Sequence, residues 1–134
     1  MNVEKAIGKK CWIVPDGYIP QLTENDSSNQ NGYVSHECTC ILNTGPNDAQ
    51  IELTIYFEDT EPVVIDGLVI AAKRCWHMRM DELKQGNKSV IERGVPYGLV
   101  INSSEPVIVQ MSRLDTTQSN MAFLSTMAHA IEEE

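Results

Sequence analysis

A His, a Glu and two Cys lie within five positions of residues 35–43, which read SHECTCILN. Imidazole and thiolate groups are zinc ligands, and His and Glu side chains transfer protons, so the stretch suggests metal binding or acid–base chemistry. As a β-strand, it would send His36, Cys38 and Cys40 to one face and Glu37 to the other. His36 and Cys40 would then be roughly 13 Å apart, too far for one tetrahedral zinc ion. We therefore predict a strand with packed thiols and no metal site, the alternative being a metal site completed by other strands.

His36 and Glu37 remain candidate ligand-binding residues at the start of this strand. A His can donate, accept or shuttle a proton near neutral pH. The alternative is structural, with His36 bonded to a nearby backbone carbonyl and Glu37 in solvent.

A second candidate site lies in residues 74–80, RCWHMRM. His77 and Arg79 share one strand face and would form a small cationic patch. Such a patch suits an anionic or polyhydroxyl ligand, or a Glu from another chain. The alternative is ordinary ion pairing on the surface of an acidic protein.

Three further residues could contribute to binding. Trp12 and Tyr97 could stack on a sugar, although a Trp in a β domain more often fills the core. Arg113 and Asp115 are two positions apart, which favours a hydrogen-bonded pair that braces a turn. The alternative is that Arg113 contacts a ligand or another subunit.

Motifs for catalysis are absent from the sequence. It contains no G-x-S-x-G, glycine-rich phosphate loop, H-E-x-x-H or EF-hand loop. We therefore predict no catalytic residues, no metal and no cofactor, and a non-enzymatic role.

Short runs rich in Val, Ile and Thr alternate with turn signals, a pattern typical of an all-β fold. Residues 50–58, QIELTIYFE, alternate with period two, and further strands are predicted at 63–72 (with a bend or hairpin at Asp66-Gly67), 74–80, 95–102 and 106–115. Residues 21–32 are polar and predict an exposed loop. In residues 119–134, Met121, Leu124, Ala128 and Ile131 follow a helical spacing. The prediction is a two-sheet, jelly-roll-like β-sandwich with a short C-terminal helix.

Bulk properties limit the classes of function. The chain has 134 residues and a net charge of −9, which suits one domain over residues 1–134 and disfavours nucleic-acid binding. No apolar run approaches 18 residues and no signal peptide is evident, so we expect no membrane insertion and a cytoplasmic location.

Four blocks in order resemble the soluble sensory rhodopsin transducer family: CWIVPDGYIP (11–20), SHECTCILN (35–43), IELTIYFEDTEPV (51–63) and IVQMSRLDTTQSNMAFLSTMAHA (108–130). The resemblance implies a cytoplasmic β-sandwich that forms a homotetramer, with a membrane receptor as a possible upstream partner. It also implies a sugar-like small-molecule ligand. The loop at 21–32 and Pro15-Asp16 depart from the family pattern.

These observations favour a non-enzymatic signalling and binding module for a small polar, sugar-like ligand. Two alternatives stay open: a metal-assisted enzyme of carbohydrate metabolism that uses His36 and His77, and a pure protein–protein adaptor. The candidate ligand-binding residues are Trp12, His36, Glu37, His77, Arg79, Tyr97 and Arg113.

Overall fold

The computed structural model describes residues 5–28 and 32–132. The elements in chain order are β1 (Lys9–Gly17), α1 (Glu24–Ser28), β2 (His36–Asn43), β3 (Ala49–Phe57), β4 (Val63–Ile70), β5 (Arg74–Arg79), a 3₁₀ turn (Met80–Glu82), β6 (Lys84–Gln85), β7 (Lys88–Ser89), β8 (Tyr97–Asp115), β9 (Ala122–Met127) and β10 (His129–Ile131). No helix among these residues is long and apolar enough to cross a membrane.

The main strands form two antiparallel sheets that share β8. One sheet has the order β10-β1-β8-β3-β4, and the other has the order β5-β2-β8-β9. β8 is 19 residues long. Its first half, up to Ser103, pairs with β3, and its second half, from Ile108, pairs with β2. The predicted all-β, two-sheet architecture is confirmed.

The core lies between the two sheets. Ile51, Leu53 and Ile55 alternate along β3 with more exposed residues, as the period-two pattern of that segment predicted. They belong to one buried cluster that also includes Ile41 of β2 and Val109 of β8. Strand β2 itself has the predicted parity, because Glu37, Thr39 and Ile41 are all buried.

β8 replaces two strands that the sequence predicted as separate, at 95–102 and 106–115. Two separate strands imply a break between them, but the strand continues through Ser104, Glu105 and Pro106. The register with β1 jumps here, since Cys11 pairs with Asn102 and Lys9 pairs with Val107. Pro106 therefore lies where the hydrogen-bond ladder is interrupted, which suits a residue without an N–H.

β4 also runs through a predicted break. A bend or hairpin is predicted at Asp66-Gly67, and the hairpin is wrong, because both residues lie inside one strand. Gly67 has a φ of +76°, and the pairing with β3 shifts between Ile51 and Leu53. A bulge absorbs the glycine, so the strand bends without reversing.

The predicted C-terminal helix is wrong. Residues 122–127 and 129–131 form the strands β9 and β10 instead. Leu124 pairs with Arg113 of β8, and Ile131 pairs with Cys11 of β1. Each strand extends one sheet at its edge, and these backbone pairings outweigh the helical spacing of the apolar residues.

The predicted exposed loop at 21–32 contains the short helix α1. Asn25 donates a hydrogen bond to the carbonyl of Thr117 at 2.6 Å, and the Thr116 hydroxyl donates to Asp26. These polar side chains hold α1 against the end of β8. Residues 29–31 of that prediction lie outside the described residues.

Candidate functional site

Glu37 is a fully buried carboxylate between the two sheets, with 0% of its surface exposed. Its Oε1 accepts hydrogen bonds from the backbone N–H of Tyr18 at 2.8 Å and from the hydroxyl of Tyr97 at 2.7 Å. Its Oε2 accepts a hydrogen bond from Nε of Arg113 at 2.6 Å. A buried charge without partners is costly, so these donors explain how the fold tolerates Glu37.

The register of β2 with β8 places the charged pair. Glu37 lies directly opposite Arg113, and both side chains point to the same inner face. Arg113 in turn lies opposite Leu124 of β9. Glu37, Arg113 and Leu124 are therefore neighbours in one row across β2, β8 and β9.

Gly17 makes room for the phenol of Tyr97. The two residues pair at the end of β1, and a Cβ on Gly17 would overlap the Tyr97 ring. The glycine thus lets Tyr97 lie under β1 and deliver its hydroxyl to Glu37.

A bulge in β1 brings a second carboxylate towards Arg113. Val14 pairs with Leu99 and Gly17 pairs with Tyr97, so β1 carries one residue more than β8 between these pairs. Pro15 occupies the bulge, where its missing N–H breaks no pairing. Oδ1 of Asp16 lies 3.9 Å from Nη2 of Arg113, and the Asp16 side chain is 90% exposed.

Burial and hydrogen bonding shift the pKa values of the cluster. Burial raises the pKa of Glu37, while the donors Tyr97, Arg113 and Tyr18 offset part of that rise. Burial and the charge of Glu37 raise the pKa of the Tyr97 hydroxyl, which therefore stays a donor. Burial acts to lower the pKa of Arg113, but Glu37 outweighs it and the pKa is raised. Arg113 thus remains a cation.

A cavity of about 260 Å³ adjoins this cluster, between β1 and β9. Glu37 and Arg113 lie in its wall, and Nε is the only guanidinium nitrogen of Arg113 with a hydrogen bond among the described residues. The Nη groups can therefore donate to a molecule in the cavity. The lining residues are Ile13, Val14, Pro15, Asp16, Glu37, Met111, Arg113, Leu124, Thr126, Met127, Ala128 and His129.

Of the predicted site residues, only Glu37, Tyr97 and Arg113 are brought together. His36 lies on the opposite face of β2, and its Nδ1 is 2.9 Å from the carbonyl of Val34. His77 is exposed and pairs in register with Cys40. His36 is four positions from Cys40, so the two His residues are roughly 13 Å apart along the sheet and do not converge on one site.

Arg79 forms an ion pair rather than a free cationic patch. Its Nε and Nη2 donate to the two oxygens of Asp81 at 2.7 and 2.6 Å. Arg93 also contacts Asp81 at 3.4 Å and donates to the carbonyls of Pro20 and Ser35. This cluster ties three loops together.

Trp12 and Asp115 also have structural partners. Trp12 is 7% exposed, its indole N–H is 3.0 Å from the carbonyls of both Lys9 and Val107, and it is not among the residues that line the cavity. The predicted Arg113–Asp115 brace is wrong, because Asp115 accepts hydrogen bonds from Thr117 and Arg113 pairs with Glu37.

Several cavity residues were not predicted from the sequence. Leu124, Thr126, Met127 and His129 reach it only because the C-terminal segment forms strands. For Asp16 the sequence offered one indication, because Pro15-Asp16 departs from the family pattern.

A family profile and a solved structure point to the same family. The family profile described as "Anabaena sensory rhodopsin transducer" matches residues 7–130. The solved structure "Crystal Structure of Thermotoga maritima 1070" is 34% identical with a TM-score of 0.79, and covers 100% of both chains. The structure "Anabaena sensory rhodopsin transducer" is 37% identical with a TM-score of 0.68, and covers 86% of this chain and 96% of that chain. No curated protein matches this chain.

Proposed function

The chain belongs to the Anabaena sensory rhodopsin transducer family, and on this premise we propose that it is a binding and signalling module whose ligand occupies the cavity between β1 and β9. Family membership supports a non-enzymatic signalling or adaptor module. Ligand binding at the cavity is the step that we add, with the single domain over residues 1–134 as the working unit.

The observation that carries this proposal is the fixed orientation of Arg113. Glu37 accepts a hydrogen bond from its Nε at 2.6 Å, and the Nη groups of this cavity-lining residue make no hydrogen bond with the described residues. A donor that is oriented before the ligand arrives loses little side-chain entropy on binding. The volume of about 260 Å³ lies near the lower end of ligand pockets, which suits a small ligand.

We propose a small polar ligand, with sugars and sugar acids as the first class to test. Arg113 and Glu37 are the predicted ligand-binding residues that line the cavity. Affinity should be roughly micromolar to millimolar, because a small polar molecule exchanges water hydrogen bonds for protein ones.

The wider proposal concerns assembly and partners. We propose a cytoplasmic homotetramer whose upstream partner is a membrane receptor of the rhodopsin type. Two points support it: the family name, and the apolar side chains of β9, where Phe123, Leu124 and Met127 are at least half exposed.

A pure adaptor without a ligand is the second candidate. Strand β9 favours it, because its six residues are all exposed and its outer edge is open among the described residues. An open edge can pair with a strand of another chain. Small-molecule binding would then be unnecessary.

A thermal-shift screen separates these functions. Sugars and sugar acids would be tested on the wild type, on Arg113→Lys and on His36→Ala. Arg113→Lys keeps the charge but loses the planar fork. We expect hits that disappear in Arg113→Lys and persist in His36→Ala. Hits lost only in His36→Ala would move the site to the outer face of β2, and a wild type without hits would favour the adaptor.

A further inference from the structure

We infer that the cavity between β1 and β9 takes a small monocarboxylate with an apolar body. The carboxylate would bind the Nη groups of Arg113, and the body would lie against the apolar wall. This inference rests on the proposed function, namely that the cavity is a ligand site, and names the chemical class of the ligand.

The geometry of Arg113 favours a carboxylate as the anchoring group. Its Nε bond to Glu37 orients the guanidinium plane, and the two Nη groups make no hydrogen bond with the described residues, with Nη2 at 3.9 Å from Oδ1 of Asp16. Two neighbouring N–H donors in one plane match the two oxygens of a carboxylate. A single hydroxyl can use only part of that fork.

The wall of the cavity favours an apolar body. Seven of the twelve lining residues are apolar: Ile13, Val14, Pro15, Met111, Leu124, Met127 and Ala128. Each hydroxyl of a sugar that faced these side chains would lose a water hydrogen bond without replacement. Oε1 of Glu37 already accepts two hydrogen bonds, which reduces what it can offer to a hydroxyl.

Asp16 limits the charge of the ligand. Its carboxylate is 3.9 Å from Nη2 of Arg113 and lines the same cavity. A second negative group on the ligand would lie near this carboxylate and near Glu37, and like charges repel. A monocarboxylate should therefore bind better than a dicarboxylate or a phosphate ester.

The size of the cavity limits the body. A volume of about 260 Å³ lies just below the usual range of ligand pockets, about 300–1,000 Å³. A branched chain of five or six carbons fits this space.

The test compares 4-methylpentanoate with its amide, 4-methylpentanamide, by titration calorimetry on the wild type. The two have the same shape and differ in charge. Glutarate tests the second carboxylate, and glucose tests a neutral sugar. We expect the acid to bind about tenfold more tightly than the amide, since charge-assisted hydrogen bonds are roughly twice as strong as neutral ones. Glutarate and glucose should bind more weakly than the acid.

Two variants locate the binding. Leu124→Asp places a negative charge in the wall of the cavity. It should lower the affinity for 4-methylpentanoate about tenfold, which equals about 1.4 kcal/mol. Val64→Asp is the matched control, because Val64 and Leu124 are both 50% exposed and Val64 lies on β4, away from the cavity. It should leave binding unchanged. Asp16→Asn should reduce the difference in affinity between glutarate and 4-methylpentanoate.

The outcomes separate the inference from the proposed function. Equal affinities for the acid and the amide would overturn the inference. An affinity for the acid that Leu124→Asp leaves unchanged would overturn it as well. If glucose binds more tightly than the acid, and Leu124→Asp abolishes the binding of glucose, the cavity remains a ligand site but the monocarboxylate class is wrong. If none of the four compounds binds the wild type, both are wrong.

Discussion

Glu37 is the residue on which the site depends. A buried carboxylate needs donors, and here a backbone N–H, a phenol and a guanidinium supply three hydrogen bonds. The same bonds fix the positions of Tyr97 and Arg113. One group of contacts thus offsets part of the cost of burying the charge and sets the orientation of Arg113, which links stability to binding.

The protonation of Glu37 should appear in the pH dependence of folding. Burial raises its folded-state pKa above the ordinary value of 4.5, so the folded chain holds this proton more tightly than the unfolded chain. The stabilisation is fully present below the unfolded pKa and is lost as the pH rises through the folded pKa. We expect the unfolding free energy of the wild type, relative to Glu37→Gln, to fall as the pH rises above 4.5.

Urea unfolding of both proteins at several pH values measures this difference. Other titrating groups are common to both proteins and largely cancel. A difference that grows with pH would show that the donors outweigh burial and lower the pKa of Glu37.

Gly17→Ala should destabilise the protein by about 1–3 kcal/mol, the usual cost of forcing an extra group into a packed core. The added methyl group would overlap the buried Tyr97 ring and displace its hydroxyl from Glu37. Gly98→Ala is the matched control, because a Cβ there meets only backbone atoms at 3.6 Å or more. Thermal melting of both variants measures the loss of stability. Equal losses in the two variants would mean that Tyr97 has room to move.

At the scale of elements, most strands were predictable from the sequence, and the two C-terminal edge strands β9 and β10 were not. β2 and β3 alternate between core and surface, and their sequences show it. β9 is exposed on both faces, so its sequence has no reason to alternate. Met121, Leu124, Ala128 and Ile131 then match a helical spacing by coincidence, and the pairing with β8 and β1 decides the structure.

The site could be predicted only in part, for the same reason. Glu37, Tyr97 and Arg113 were candidates from residue type and family resemblance, but their mutual contact depends on the register between β2 and β8. The cavity also needs β9 as a wall and a bulge in β1. Both come from long-range pairing, which local sequence patterns do not encode.

Strand β9 provides a prediction about assembly. Phe123 lies on the face opposite Leu124 and Thr126, does not line the cavity, and is 68% exposed. If β9 contributes to the proposed oligomer, Phe123→Ser should lower the oligomer mass and leave the fold intact. Val64→Ser on β4 is the control. Light scattering with circular dichroism measures both, and an unchanged mass would exclude β9 from the interface.

At the scale of the whole molecule, charge opposes assembly. Each chain carries a net charge of −9, so copies repel one another at low salt. We expect a mass of four times 15.0 kDa in physiological salt at micromolar concentration, and partial dissociation as salt is removed. Light scattering across a salt series checks this, and a 15.0 kDa species in physiological salt would rule out the homotetramer.

The central claim is that the cavity between β1 and β9 is the ligand site, and methyl NMR tests it most directly. The protein would carry labelled methyl groups on Ile, Leu and Met and be titrated with the compounds that raise its melting temperature. We predict shift changes concentrated at Ile13, Met111, Leu124 and Met127, with Ile70 of β4 unchanged as the remote reference. Changes centred instead on Leu42 and Leu114, on the outer face that carries His36, would contradict the claim.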